Sequence, residues 1–310
     1  MADYTTPPTL DPTLEQDLKS LANVIGSNAP AIAETLLFKA VQESGVIPMV
    51  SLPPLIQLVN TLIIPQIQTW EGGWGDHPND SGGPTMRGVI SLTLASLYDS
   101  IFIYTGIPTV VTAAKAFSAK YPTWKTDQEL LKRVLYILCG DDRVGGLFFH
   151  YFLASKTNRY PIAVMTIDPW LGFFFTECVW GSGAYTYGSA STDIDGVAKK
   201  YGWTGGDQVK WISFIAGLGD KTAAFAVDSF VRRYEYIMAI SVPENKNSVF
   251  RTGWLRRLIN DNGSDLMMLV KINEMFNQNT KGIYTFSASE QDYLARKAET
   301  YKSLNLTLPD

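Results

Sequence analysis

Cysteine and histidine are scarce in this chain of 310 residues, with two of each, and the scarcity removes several chemistries at once. Cys139 and Cys178 lie in apolar surroundings without metal-ligand spacing, so they read as buried free thiols. His77 and His150 are too few and too far apart for a zinc site, which disfavours a metal-dependent amidase or peptidase and gives no reason to expect a metal or other cofactor. No serine or cysteine nucleophile motif is present either. Charged residues make up only 18% of the chain, the formal net charge is −4, and lysines and arginines form no long runs. Neither a nucleic-acid partner nor an anionic membrane surface is favoured by that balance. Long apolar runs are also lacking. The most apolar stretch, residues 46–65, is interrupted by Pro48, Pro53, Pro54 and Pro65, well short of the roughly 20 unbroken residues a membrane-spanning helix needs. The N-terminus has no basic region leading into an apolar core, so no secretory signal is expected, and no internal repeat is found.

What the chain does contain is enough apolar material, 46%, for a large ordered core. Its periodicity is mostly helical. Residues 13–44 carry one or two amphipathic helices through Leu18, Leu21, Val24 and Ile25, then Ile32, Leu36, Leu37 and Val41. Leu55, Val59, Leu62, Ile63, Ile67 and Trp70 repeat at helical spacing, with Pro65 expected to kink or restart that helix. Thr126-Asp127-Gln128-Glu129 reads as a capping box opening a helix that stops at Gly140. Further helices are predicted at 207–218, 221–240, 253–260 and 287–303, after a flexible arm at 1–12. Little alternates as a strand would, apart from a short returning strand predicted between Thr85 and Ser91.

The segment richest in chemistry is residues 70–89, WEGGWGDHPNDSGGPTMRGV. A carboxylate, Glu71, closes an apolar helical stretch; a second, Asp80, follows nine positions later, and a hydroxyl, Thr85, five beyond that. Glycines between them let the chain turn sharply and fold a hairpin back over the helix end, so that Asp80 faces Glu71. Two acids on opposite sides of a sugar linkage are what glycoside hydrolysis requires. The plainer alternative is a glycine-rich surface loop with incidental acids, in which His77 is simply a solvated loop residue.

This run resembles the glutamate-glycine-glycine-aromatic motif of the glycoside hydrolase family 108 muramidases, lysozyme-like enzymes of phages and bacteria. Its Glu, Asp and Thr spacing is also similar to the triad of phage-type lysozymes. Residues 175–183, FTECVWGSG, resemble the family's mid-domain segment, and Arg232-Arg233-Tyr234-Glu235-Tyr236 with residues 250–257, FRTGWLRR, resembles the associated C-terminal peptidoglycan-binding-like region. The chain departs from the family pattern in carrying Pro84 where an acid is common, Arg87 where an aromatic is common, and Thr176 in place of an aspartate.

The resemblance implies a mainly α fold: a lysozyme-like helical domain with a small β-hairpin at the active site, plus N- and C-terminal extensions. The corresponding boundaries are residues 1–54, a muramidase domain at 55–262 with an insertion around 91–167, and 263–310. It implies cleavage of the β-1,4 bond between N-acetylmuramic acid and N-acetylglucosamine. Glu71 beside Trp70 and Trp74 is expected to stay protonated and act as general acid, with Asp80 ionised and Thr85 hydrogen-bonding the water. Trp74, Asp76, Arg87, Trp180, Tyr185 and Tyr187 are the expected sugar contacts. The partner is then the glycan strand of peptidoglycan, with docking onto other phage virion proteins as the role of the extra segments. Without its own export signal such an enzyme is expected in the virion, or in the host cytoplasm before release to the wall. Two other readings stay open: a lytic transglycosylase that dispenses with Asp80, and a non-catalytic wall-binding or structural protein of lysozyme shape.

Overall fold

The computed structural model describes residues 5–46, 52–76, 83–182 and 194–222, with 224–226, 228–229 and 232–233 beyond them. Two compact units divide the chain, the first comprising residues 1–38 and 59–151, the second 39–58 and 152–310. Helices dominate both, and the described strands form one three-stranded antiparallel sheet in the first unit. The fold is mainly α and consistent with a lysozyme-like arrangement. Among the described residues no helix is long and apolar enough to cross a membrane.

Residues 13–44 fold as one helix rather than two. Helix α1 spans Pro12–Ser44 and tolerates Pro30 inside it, with Leu18, Leu21, Ile25, Ile32, Leu37 and Val41 all buried. Helix α2 (Leu52–Leu58) runs into a π-helical stretch, Val59–Ile63, and α3 (Ile64–Glu71) begins with Pro65 in its first turn. Ile63 keeps helical dihedrals, so the chain stays helical from Leu52 to Glu71 and Pro65 is accommodated directly after the π-helical stretch. Gly72, at φ 73°, ends α3 immediately after Glu71.

The sheet follows: β1 (Trp74–Gly75), β2 (Thr85–Met86) and β3 (Val89–Ile90), with Trp74 opposite Met86 and Thr85 opposite both Gly75 and Ile90. The single returning strand expected from Thr85 to Ser91 is thus a two-residue hairpin, and Ser91 already belongs to the next helix. Arg87 (φ 50°) and Gly88 (φ 78°) form its tip, and two positive dihedrals in succession define the type I′ turn that matches strand twist. Alternation failed as a signal because each strand is only two residues long.

Helices α4 (Ser91–Tyr98), α5 (Pro108–Lys120), α6 (Gln128–Leu138) and α7 (Asp142–Ala154) follow, the last turn of α7 lying in the second unit. Asp127 rather than Thr126 caps α6, accepting from the Glu129 and Leu130 N–H groups. An aromatic cluster fills the first unit's core, with Tyr98 edge-on to Phe102 at 5.1 Å and to Trp124 at 4.7 Å. Burial holds the Tyr98 hydroxyl strongly protonated while it donates to the Ala114 carbonyl.

The second unit contains α8 (Pro161–Met165), α9 (Pro169–Ser182), α10 (Ile194–Lys200) and α11 (Gln208–Ala216), the last capped by Asp207. Its core gathers Phe175, Trp203, Phe214 and Phe225 around Trp211, over whose ring the Arg159 guanidinium sits at 4.2 Å. Cys139 and Cys178 are buried thiols outside any disulfide, as expected, and burial pushes the Cys139 thiol far up. Thr176 is buried in α9 and donates back to the Gly172 carbonyl, so it serves the helix rather than a ligand. The helices predicted at 253–260 and 287–303 lie outside the described residues; of the one predicted at 221–240, residues 222, 224–226, 228–229 and 232–233 are described and helical.

Candidate active site at the end of the third helix

Glu71 is the last residue of α3 and is half-buried. Its carboxyl group lies against the tip of the β2–β3 hairpin, so closely that a Cβ built on Gly88 would meet Glu71 Cγ and Oε2 at 2.7 Å and Cδ at 2.8 Å. A side chain at position 88 would push the Glu71 carboxyl group aside, and only glycine takes φ 78° at little cost. The helix end and the hairpin thus meet at the carboxyl group itself.

The remaining sequence-predicted residues are distributed around this junction. Thr85 stands on β2, its hydroxyl donating to the Gly83 carbonyl at 3.1 Å. Trp74 on β1 packs edge-on against Tyr136 of α6, centroids 5.5 Å apart, and its indole N–H donates to the Thr6 carbonyl at 3.1 Å. That bond fastens the arm read from the sequence as flexible. Asp76 pairs with Lys132 of α6 at 3.1 Å, and Lys132 also reaches Glu129 at 3.3 Å; hydrogen bonding to Asp76 holds the ammonium above its usual range. Arg87 at the turn pairs with Asp142, the first residue of α7, at 2.5 Å. Asp80, His77, Tyr185 and Tyr187 lie outside the described residues, as does the side chain of Trp180 on α9.

Residues 64–125 match the family described as glycosyl hydrolase 108. The matched segment opens at the first residue of α3 and contains Glu71, Trp74, Asp76, Thr85 and Arg87, so the helix end, the hairpin and the acid between them are all inside it. The glycosyl hydrolase 108 match supports a glycosyl hydrolase of lysozyme-like type with a glycan such as peptidoglycan as substrate. It does not extend to residues 232–257, and the resemblance there to a peptidoglycan-binding-like region gains no support from it. No curated protein and no solved structure matches the chain.

Tyr136, Lys132, Gln68 and Asp142 also belong to the surroundings of the site, and sequence reasoning missed them. Lys132 and Tyr136 are four apart on the polar side of α6, a spacing that puts both on one helical face. Nothing local says that this face borders β1. Asp142 opens a helix whose apolar run gives no hint that its first residue reaches a turn 55 positions earlier, the separation of residues 87 and 142.

Proposed function

We propose that this protein is a muramidase that hydrolyses the β-1,4 bond between N-acetylmuramic acid and N-acetylglucosamine in peptidoglycan. The observation that carries the reading is the Glu71 carboxyl group at the end of α3, seated on Gly88 inside the segment matching glycosyl hydrolase 108. Glu71 donates the proton to the leaving glycosidic oxygen. Asp80 stays ionised to stabilise the oxocarbenium-like transition state and orient water, and Thr85 hydrogen-bonds that water. Trp74, Asp76 and Arg87 contact the glycan, as do Trp180, Tyr185 and Tyr187 further along the chain. A phage lysin, carried in the virion or released late, is the biological setting that the resemblance to phage enzymes supports.

The test is mass analysis of fragments released from purified sacculi, run with wild type, Glu71→Gln and Asp80→Asn. Wild type is expected to release reducing glycan fragments, and both substitutions to cut the rate by roughly 10²- to 10⁴-fold, the range for losing acid-base catalysis. Near-normal release by Glu71→Gln overturns the assignment of the acid. Anhydro products with Asp80→Asn fully active move the enzyme to the lytic transglycosylases, and binding without release makes it a wall-binding protein.

A further inference from the structure

The turn that touches Glu71 is not one its own residues favour. Type I′ turns prefer Asn-Gly or Asp-Gly because both central residues take positive φ. This one has Arg87-Gly88, with Arg87 at φ 50°, a conformation that costs an L-residue with a long side chain roughly 1–2 kcal/mol. Such a turn gains from external holds, and the described structure contains two: the Arg87 backbone N–H donates to the Gly73 carbonyl at 3.4 Å, and the Arg87 side chain is held from α7. Asp142 pairs through its carboxylate with the Arg87 guanidinium, while its backbone carbonyl accepts a hydrogen bond of 2.9 Å from Gln68 Nε2 on α3. Gln68 lies one turn before Glu71 on that helix. One residue therefore grips both parts of the site, the helix that carries the acid and the hairpin tip that lies on it.

The start of α7 is itself well fixed. The Asp141 carboxylate accepts from the Arg143 N–H at 2.9 Å and from the Arg143 guanidinium, so the first turn of α7 is held before Asp142 reaches outward.

From this arrangement, and resting on Glu71 as the acid proposed above, we infer that Asp142 is a positioning residue for Glu71: its pairing with Arg87 keeps Gly88 seated on the Glu71 carboxyl group. Asp142 itself touches no reacting atom. Its side chain is 65% exposed, so removing it leaves the core intact.

Kinetics on soluble glycan strands test this. Asp142→Ala is expected to lower kcat roughly tenfold with KM changed less than about twofold, because a misplaced acid slows the chemical step without removing a sugar contact. Asp142→Asn, which keeps the shape and loses the charge, is expected to fall between the two. The decisive variant is Arg87→Asn, whose Asn-Gly turn holds itself: Asp142→Ala placed in that background is expected to leave kcat unchanged relative to Arg87→Asn alone. Equal kcat for Asp142→Ala and wild type overturns the inference, as does a loss that lies wholly in KM, or an undiminished effect of Asp142→Ala in the Arg87→Asn background. Circular dichroism melting of each variant separates these outcomes from unfolding. Glu71→Gln run alongside reports on the underlying reading, since its full activity removes Glu71 while an inactive Glu71→Gln beside a normal Asp142→Ala removes only the positioning role.

Discussion

Gly88 is the residue on which the site's geometry turns, because it combines a positive φ with a carboxyl group less than 3 Å from where a side chain would begin. Gly106 provides a matched comparison, at φ 77° with open space around it. Gly106→Ala is expected to cost only the backbone strain, on the order of 1 kcal/mol. Gly88→Ala carries the same strain and must also displace Glu71, so its melting temperature should fall further and its glycan turnover by tenfold or more, up to the roughly 10²-fold that a 1 Å misplacement can cost. Equal melting temperatures and equal turnover in the two variants would show that the close approach does not matter. Glu71 and Gly88 were both legible in the sequence as parts of one motif. Asp142, Lys132 and Tyr136 were not, since each reaches the site from a helix far along the chain and is defined only by tertiary contact.

Helix α3, the π-helical stretch before it and α7 show how one seam supports that junction. Within the first unit their line of contact steps along both sequences: His150 meets Asn60, Gly146 and Gly145 lie close to Ile64 and Gln68, and Asp142 bonds Gln68. A Cβ on Gly146 would lie 3.4 Å from Ile64 Cγ2, in ordinary van der Waals contact, so the seam is close-packed at this point. His150 is buried, and desolvation lowers its pKa from 6.5 to about 4. A neutral ring donates through Nδ1–H to the Gly146 carbonyl at 2.8 Å. Its Nε2 lies against the Asn60 side-chain amide, which pairs with a neutral ring only by presenting its NH2 group in place of Oδ1. The folded state therefore binds fewer protons at this ring than the unfolded chain between pH 6.5 and about 4. Stability contributed by the neutral ring is complete above pH 6.5 and is lost as pH falls through this window, by up to about 3 kcal/mol. Thermal melting followed from pH 7 to 4 should show this loss, and His150→Gln should flatten it; an unchanged slope in His150→Gln would place the dependence elsewhere. The sequence disclosed α3, α6 and α11 through their apolar spacing and caps. It did not disclose α7, α8 or α9, whose runs such as Leu147-Phe148-Phe149 and Phe173-Phe174-Phe175 are apolar on every side and so carry no helical period.

Each of the two compact units is assembled from two separate stretches of chain, so neither is a continuous module. Residues 39–58 belong with 152–310, and Val41, Leu55 and Ile56 are buried there. A fragment ending at residue 151 retains 39–58 without the chain it packs with. It is expected to aggregate or to bind a hydrophobic dye, and a soluble fragment with the wild-type melting transition would contradict this. Order of synthesis follows from the same interleaving. Asp17 emerges early but pairs with Lys120, 103 residues later, and the stretch 39–58 must then wait until chain beyond 151 has been made. Domains built from one continuous stretch can fold in turn as they leave the ribosome. Here α1 waits for Lys120 before that pairing can form, the second unit recruits a segment made before most of the first, and the hairpin against the acid on α3 is fastened only once Asp142 has followed it by 55 residues.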